Sequence, residues 1–541
     1  MAFTVAVAIA LPVAVVTLNL FVPAGDVWRH LASTVLAGYI ANSLWIILGV
    51  GIGVLSIGVS MAWLVAMCEF PGRKIFEWAL LLPFAVPAYV IAYTYTGLLD
   101  VAGPVQVWLR DGLGLADVGL WFPDIRSLPG AIVLMALVLY PYVYMLARTA
   151  FHEQSFAAIE VSRTLGCGPW RSFWSVSLPL ARPAIVGGLA LALMEALNDF
   201  GTVQFFGVDT FTTGIYRTWL GLGERPAAAQ LAALLMLFIF ALIILERISR
   251  GSRRYQHTGT RYLVLPRYRL TGSRASCATL ACALPVALGF AIPALALVIW
   301  TVQTAGETVD LRFLRLAANS FLVAAVAAVL AVAVAGTLAY GLRLRRTPLM
   351  AAATRIAGLG YAIPGSVIAV GVLIPFARID NTLDAWARAT LGVSTGLVLS
   401  GTLVALVFAY LVRFLAISLN TVEAGFGRIT PRMDDAARSL GQSQSGVLVR
   451  VLAPLMRGSL LTAGLLVFVD VMKELPATLL VRPFNFDTLA TRTYEYAVDE
   501  QLIEASSAAL AIVAVGIVPV VLLSRAIARS RAGQPEGLNG S

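Results

Sequence analysis

The chain has 541 residues and a mean hydropathy of +0.85, with 59% hydrophobic and only 13% charged residues and a net charge of +10. Charged residues make up about half the share found in an ordinary soluble domain, and the apolar residues come in runs of about 20, the length that crosses a bilayer as a helix. A soluble enzyme, a disordered regulator and a collagen-like chain are excluded; the basic balance reads as arginines gathered in cytoplasmic loops rather than as a nucleic-acid surface.

In chain order, the spacing predicts about twelve membrane-spanning helices, near residues 2–22, 40–67, 78–97, 129–147, 183–206, 227–246, 277–303, 319–342, 357–376, 392–412, 459–481 and 505–524. The first run has neither a basic segment before it nor a small-x-small cleavage site after it, so it reads as a retained helix and not as a signal peptide. With both termini cytoplasmic, 27 of the 39 basic residues fall on the cytoplasmic side. The segment 247–276 decides the orientation, because its eight arginines are not interrupted by any acid, whereas the external loop 482–504 carries Asp487, Glu495, Asp499, Glu500 and Glu504. The expected fold class is all-α, a polytopic membrane protein lying in the lipid bilayer.

The sequence repeats itself. Ala-Leu-Pro-Val-Ala stands at 10–14 and at 283–287, and Asn42-Ser43 returns as Asn319-Ser320. Pro87-x-x-Val90-Ile91-Ala92 returns as Pro364-x-x-Val367-Ile368-Ala369, and Phe211-x-Thr213 with Arg217 returns as Phe486-x-Thr488 with Arg492. Ordered matches at a nearly constant offset mark an internal duplication. Six spans per half is an even number, so both halves enter the membrane from the same side as parallel repeats with a pseudo-twofold axis along the membrane normal. The expected divisions are a first half at 1–246, an Arg-rich cytoplasmic linker at 247–276, a second half at 277–527 and a cytoplasmic tail at 528–541. Two matched halves about an axis suit a transporter better than a membrane enzyme.

Catalytic signals are lacking. The lysines are Lys74 and Lys473, and neither stands in the Gly-Lys-Ser/Thr setting of a phosphate-binding loop, so the chain carries no ATPase motif of its own. The cysteines and histidines are scattered without ligand spacing.

Two cytoplasmic loops share a pattern. The first reads Glu160-Val161-Ser162-x3-Gly166 with Pro179 thirteen residues on, and the second reads Asp435-Ala436-Ala437-x3-Gly441 with Pro454 thirteen residues on. An acid favours a helix N-terminus, small residues permit close approach, and glycine lets the chain turn. This resembles the EAA motif of the permease subunits of ABC importers, with Asp435 in place of Glu and Val161-Ser162 in place of Ala-Ala. The resemblance implies coupling helices near 153–179 and 428–454 that dock on two copies of a separate ATP-binding subunit, which would hold the ATP and Mg; no cofactor is expected on this chain.

The expected spans five and eleven each carry a pair of acids, Glu195 with Asp199 and Asp470 with Glu474. Spacing of i, i+4 places each pair on one face of a continuous helix, about 18 Å and 24 Å beyond Pro183 in the first half at 1.5 Å per residue. Acids inside a membrane normally face a cavity or a partner, and carboxylates suit hard cations, so the four are candidates for a substrate path and a transient metal contact. A buried clamp between halves, with Lys473 beside Asp470 and Glu474 and Asn198 as its counterpart, is the alternative. The stretches Asp199-Phe-Gly201-Thr202 with Phe211 to Arg217, and Asp470 to Thr478 with Arg482 to Arg492, resemble fused permeases of ferric-iron ABC importers. That resemblance implies a type I importer permease fold in a bacterial inner membrane. It also implies alternating-access uptake of Fe(III), delivered by a periplasmic ferric-binding protein to the loops 97–128, 207–226 and 482–504. Thiamine, phosphonate or polyamine as cargo, or an ion-coupled secondary transporter, are the other readings.

Overall fold

In lipid every backbone polar group has to be satisfied within its own segment, which makes helices of the long apolar runs. The computed structural model describes residues 2–22, 25–115, 122–153, 166, 168–250, 267–344, 347–427, 429–430 and 432–532. Among the described residues nine helices are long and apolar enough to cross a membrane, and two pairs bent by more than 40° raise the number to eleven. The shorter apolar helix Ser506–Leu522 falls where the last span was expected. Among the described residues the chain is all-α apart from one short parallel pairing of Cys68–Glu69 with Tyr268–Arg269, which ties the end of the linker to the first half.

Four expected spans are not single straight helices, the one at 183–206 breaking at Asp199. Helix Arg73–Ala79 and the turn Leu82–Ala85 are followed at a 90° bend by helix Ala88–Leu99. Helix Pro348–Ala357, the turn Gly360–Ala362 and helix Gly365–Leu391 repeat this arrangement in the second half. The cause is the same in both: Pro87 and Pro364 push the preceding residue out of the helical region, leaving Val86 (ψ 117°) and Ile363 (ψ 130°) extended. In the fourth, helix Arg457–Met472 stops short, and the chain re-enters a helix only at Pro476–Val481. The span expected at 392–412 is also displaced: residues 392–402 are not helical, and the helix runs Leu403–Phe426.

The duplication is visible in hydrogen bonds. Asn42 Nδ2 donates to Asp209 O at 2.8 Å, and Asn319 Nδ2 donates to Asp487 O at 3.2 Å. Each acceptor precedes a threonine pair, Thr210/Thr213 and Thr488/Thr491, that caps the next helix reciprocally. Helices Leu128–Glu153 and Leu403–Phe426 sit at the centre of their halves, with 72% and 61% of their apolar windows buried against 28–50% for the other long helices. The first and last helices of each half lie against the broken span of the other half. Contact there is backbone to backbone. A β-carbon on Gly371 would lie 2.4 Å from Pro12 O, and one on Gly516 would lie 2.4 Å from Ala85 O, so only glycine fits at either crossing.

Candidate functional site

A cavity with ≈ 830 Å³ of empty space, open to solvent, lies between the halves. Its lining follows the repeat, with Phe84 and Tyr361, Glu195 and Asp470, Asn198 and Lys473, and Asp199 and Glu474 as equivalent pairs. The four predicted acids therefore meet at one cavity, but not as two acids on one helical face. Helix Leu178–Asn198 ends before Asp199, whose backbone is extended (φ −63°, ψ 135°), and the second-half helix ends at Met472. The correction has a physical cause. Each break exposes the N–H groups of a short following helix, and the carboxylate turns to accept them. Thr202 N–H and Val203 N–H donate to Asp199 Oδ1 at 2.9 and 3.1 Å, and Ala477 N–H donates to Glu474 Oε1 at 2.9 Å. Pro476, which has no N–H to donate, stands at the first position of the helix that follows the second break.

Charge in the cavity is compensated unevenly. Lys473 Nζ lies 2.8 Å from Asp470 Oδ1, and Arg413 Nε lies 3.4 Å from Glu474 Oε2, with Glu474 and Arg413 about 5% exposed. Glu195 makes no ion pair among the described residues. No group of three or more His, Cys, Asp or Glu side chains is placed to hold a metal ion there, so the four acids line a common space without forming a closed ligand set. Arg413 was assigned to the cytoplasmic side from the sequence; it lies instead in the middle of helix Leu403–Phe426, facing the cavity. Its signal was a lone charge inside an apolar run, obscured by ending the expected span at 412.

Two contacts join the halves, one in the cavity lining and one outside it. The Tyr142 and Tyr361 hydroxyls lie 3.1 Å apart, with the Phe84 ring centroid 4.4 Å from that of Tyr142. Outside the lining, Arg126 grips Glu500 with two parallel bonds of 2.7 Å, and its guanidinium lies 4.8 Å from the Phe205 ring centroid. The bond from Arg126 holds the Glu500 carboxyl below its usual range.

Of the two loop motifs, Glu160, Val161 and Ser162 lie outside the described residues. Gly166 and Gly441 are both left-handed, at φ +79° and +82°, which glycine alone adopts freely. Pro179 and Pro454 each follow a wide π-turn, Phe173–Ser177 and Val447–Leu452, where the missing proline N–H is tolerated. Asp435 and Ala436 are exposed on helix Arg432–Ser439, and Ala437 is buried. The anchoring acid is the neighbouring Asp434. Arg343 Nε and Nη2 donate to its two oxygens at 2.8 and 3.0 Å, and Nη1 donates to Phe426 O and Ile429 O at 3.0 Å each. Alignment of the two loops selected Asp435; the i, i+3 spacing of Asp434 and Ala437 is what marks the face turned inward.

The family profile described as the binding-protein-dependent transport system inner membrane component matches residues 55–254. A sulfate transport system permease, CysT of Escherichia coli, is 30% identical over 36% of this chain and 71% of its own length. The chain belongs to this permease family. The permease is also similar to the Fe(3+)-transport system permease FbpB 2 of Haemophilus influenzae, 26% identical over 91% of this chain and 90% of that one. The molybdenum transport system permease ModB of Escherichia coli is 29% identical over 37% of the permease and 87% of its own length. Like FbpB 2, the permease is long enough to carry both halves in one chain, whereas ModB and CysT match little more than a third of it.

Proposed function

We propose that the permease carries ferric iron inward across a bacterial inner membrane, with both termini cytoplasmic. The observation that carries this reading is the charge of the central cavity: four acids against two bases, each base already beside an acid. A hard, highly charged cation is attracted to such a lining, and carboxylate oxygens are its natural contacts. The similarity to an Fe(3+) permease over both halves supports the same cargo.

Glu195, Asp199, Asp470 and Glu474 form the path, with transient contacts to the metal. Two ATP-binding subunits, holding ATP and Mg, dock on the loops containing Glu160, Val161, Ser162 and Gly166, and Asp435, Ala436, Ala437 and Gly441, ahead of Pro179 and Pro454. A periplasmic ferric-binding protein delivers cargo to the external loops. Closure of the ATPase pair draws the two loops together and rocks the halves (1–246 and 277–527) about their axis. The Tyr142–Tyr361 and Arg126–Glu500 contacts then open in alternation, so the cavity faces one side at a time.

Sulfate or a similar oxyanion is the second reading, favoured by Arg413 and Lys473 in the cavity. Uptake of labelled iron and of labelled sulfate into proteoliposomes holding the whole assembly separates the two. Iron uptake that falls on replacing Glu195 and Asp470 by Ala supports the proposal. Sulfate uptake without iron uptake overturns it.

A further inference from the structure

The two halves of the cavity match in their acids and differ in what stands beside them. At the repeat offset, Arg413 and Lys473 of the second half correspond to Val138 and Asn198 of the first, and all four line the cavity. The second half therefore neutralises its own acids, Asp470 with Lys473 and Glu474 with Arg413. The first half has no cation at either position. Asp199 is engaged by Thr202 and Val203, including the Thr202 hydroxyl at 3.0 Å, which leaves Glu195 as the first-half carboxylate with no ion pair among the described residues, reached only through space by Arg413 and Lys473, each of which stands closer to an acid of its own half.

Asn198 adds an independent observation. It is 2% exposed, lines the cavity, and neither Oδ1 nor Nδ2 has a hydrogen-bond partner. A buried carboxamide left unpaired is unfavourable, and a ligand or a water in the cavity completes it. Asn198 follows Glu195 by three residues on the same helix, so their side chains share a face, and together they offer a carboxylate and a neutral amide oxygen, both hard donors. Lys473 stands in the same three-residue relation to Asp470, with its ammonium 2.8 Å from the carboxylate.

Resting on the cation-permease reading above, we infer that cargo is held on the first-half side only, by Glu195 and Asn198, and that Lys473 is a tethered cation filling the equivalent position in the second half. Asn198 is then a cargo-binding residue, and the asymmetry limits the cavity to one cation at a time.

Tb(III) is a suitable hard trivalent probe, because the cavity tyrosines sensitise its luminescence. It is titrated into the permease–ATPase complex in nanodiscs, with elution as an intact complex checked for every variant. Wild type binds one Tb(III) in the cavity. Asn198→Lys, which places an ammonium beside Glu195, removes that binding, and Asn198→Ala weakens it at least tenfold. Lys473→Asn raises the stoichiometry to two. Wild-type Tb(III) affinity in intact N198K overturns the inference, and should N198K not elute intact, a stoichiometry of one in K473N overturns it. The two readings fail separately. Iron uptake by wild type that N198K retains in full removes this subsite and leaves the iron reading standing. Absence of iron uptake by wild type removes the iron reading, and the Tb(III) titration still decides the subsite.

Discussion

Replacing Asp434 by Ala tests how helix Arg432–Ser439 is held to the membrane domain. Arg343 and Asp434 are 13% and 10% exposed and share two charge-assisted bonds, while Arg343 also holds the carbonyls of Phe426 and Ile429. Removing one partner of a buried pair costs about 3–5 kcal/mol. The two carbonyl contacts survive here, so the lower end applies. A loss of about 3 kcal/mol shifts the docked helix roughly 100-fold toward the undocked form, at 1.4 kcal/mol per tenfold. Amide hydrogen exchange over 432–439 reads this directly, and protection there falls by about two orders of magnitude in D434A. Asp434→Asn keeps an acceptor without the charge and gives an intermediate value. In proteoliposomes the amount transported per ATP hydrolysed falls in the same order, while ATP hydrolysis itself continues. Unchanged protection over 432–439 together with wild-type coupling in D434A would refute the anchoring role.

Other outcomes follow from features on the same axis. Gly166→Val and Gly441→Val force a β-branched residue into left-handed backbone, at about 1–2 kcal/mol each, and uncouple hydrolysis from transport; normal transport by both variants removes the docking assignment. Tyr142→Phe deletes a neutral hydrogen bond of about 1 kcal/mol, so a Val138→Cys reporter becomes several-fold more reactive toward a membrane-impermeant thiol reagent added from the Glu153 end. The Arg126–Glu500 link depends on an ionised carboxylate whose pKa is lowered in the folded protein. Its contribution is therefore complete above the ordinary carboxylate range and is lost as pH falls through the lowered value. Spin-label distances between the two loops stay constant from about pH 8 down to about pH 5, an interval above the ordinary Glu value, and lengthen below that range; Glu500→Gln lengthens them at neutral pH.

The spans and the repeat were legible because lipid enforces long apolar helices and because duplication places each signal twice. The kinks were less legible. Pro87 and Pro364 are visible in the sequence, yet the 90° turn at Pro87 needs the opposite half to receive the second segment. The carboxylates illustrate the limit most sharply. Their residue types and their meeting at one cavity could be read in advance, but spacing alone implied an unbroken helix, and the local competition for N–H groups at Thr202, Val203 and Ala477 reversed that. Asp434 was hidden by its neighbour, since sequence alignment rewards matching letters and burial rewards the helical face.

The exchange of outer helices between halves also constrains how the protein is made. Helix Ala2–Leu18 leaves the ribosome well before its packing partner Gly365–Leu391, which begins 347 residues after Leu18. At about 5–20 residues per second, translation separates the two by roughly 20–70 s. Throughout that interval the first helix waits in the membrane with the Pro12 carbonyl, destined for Gly371, facing lipid or a holding factor. A nascent first half is thus an unfinished body, and quality control in the membrane has to spare it until its second half arrives.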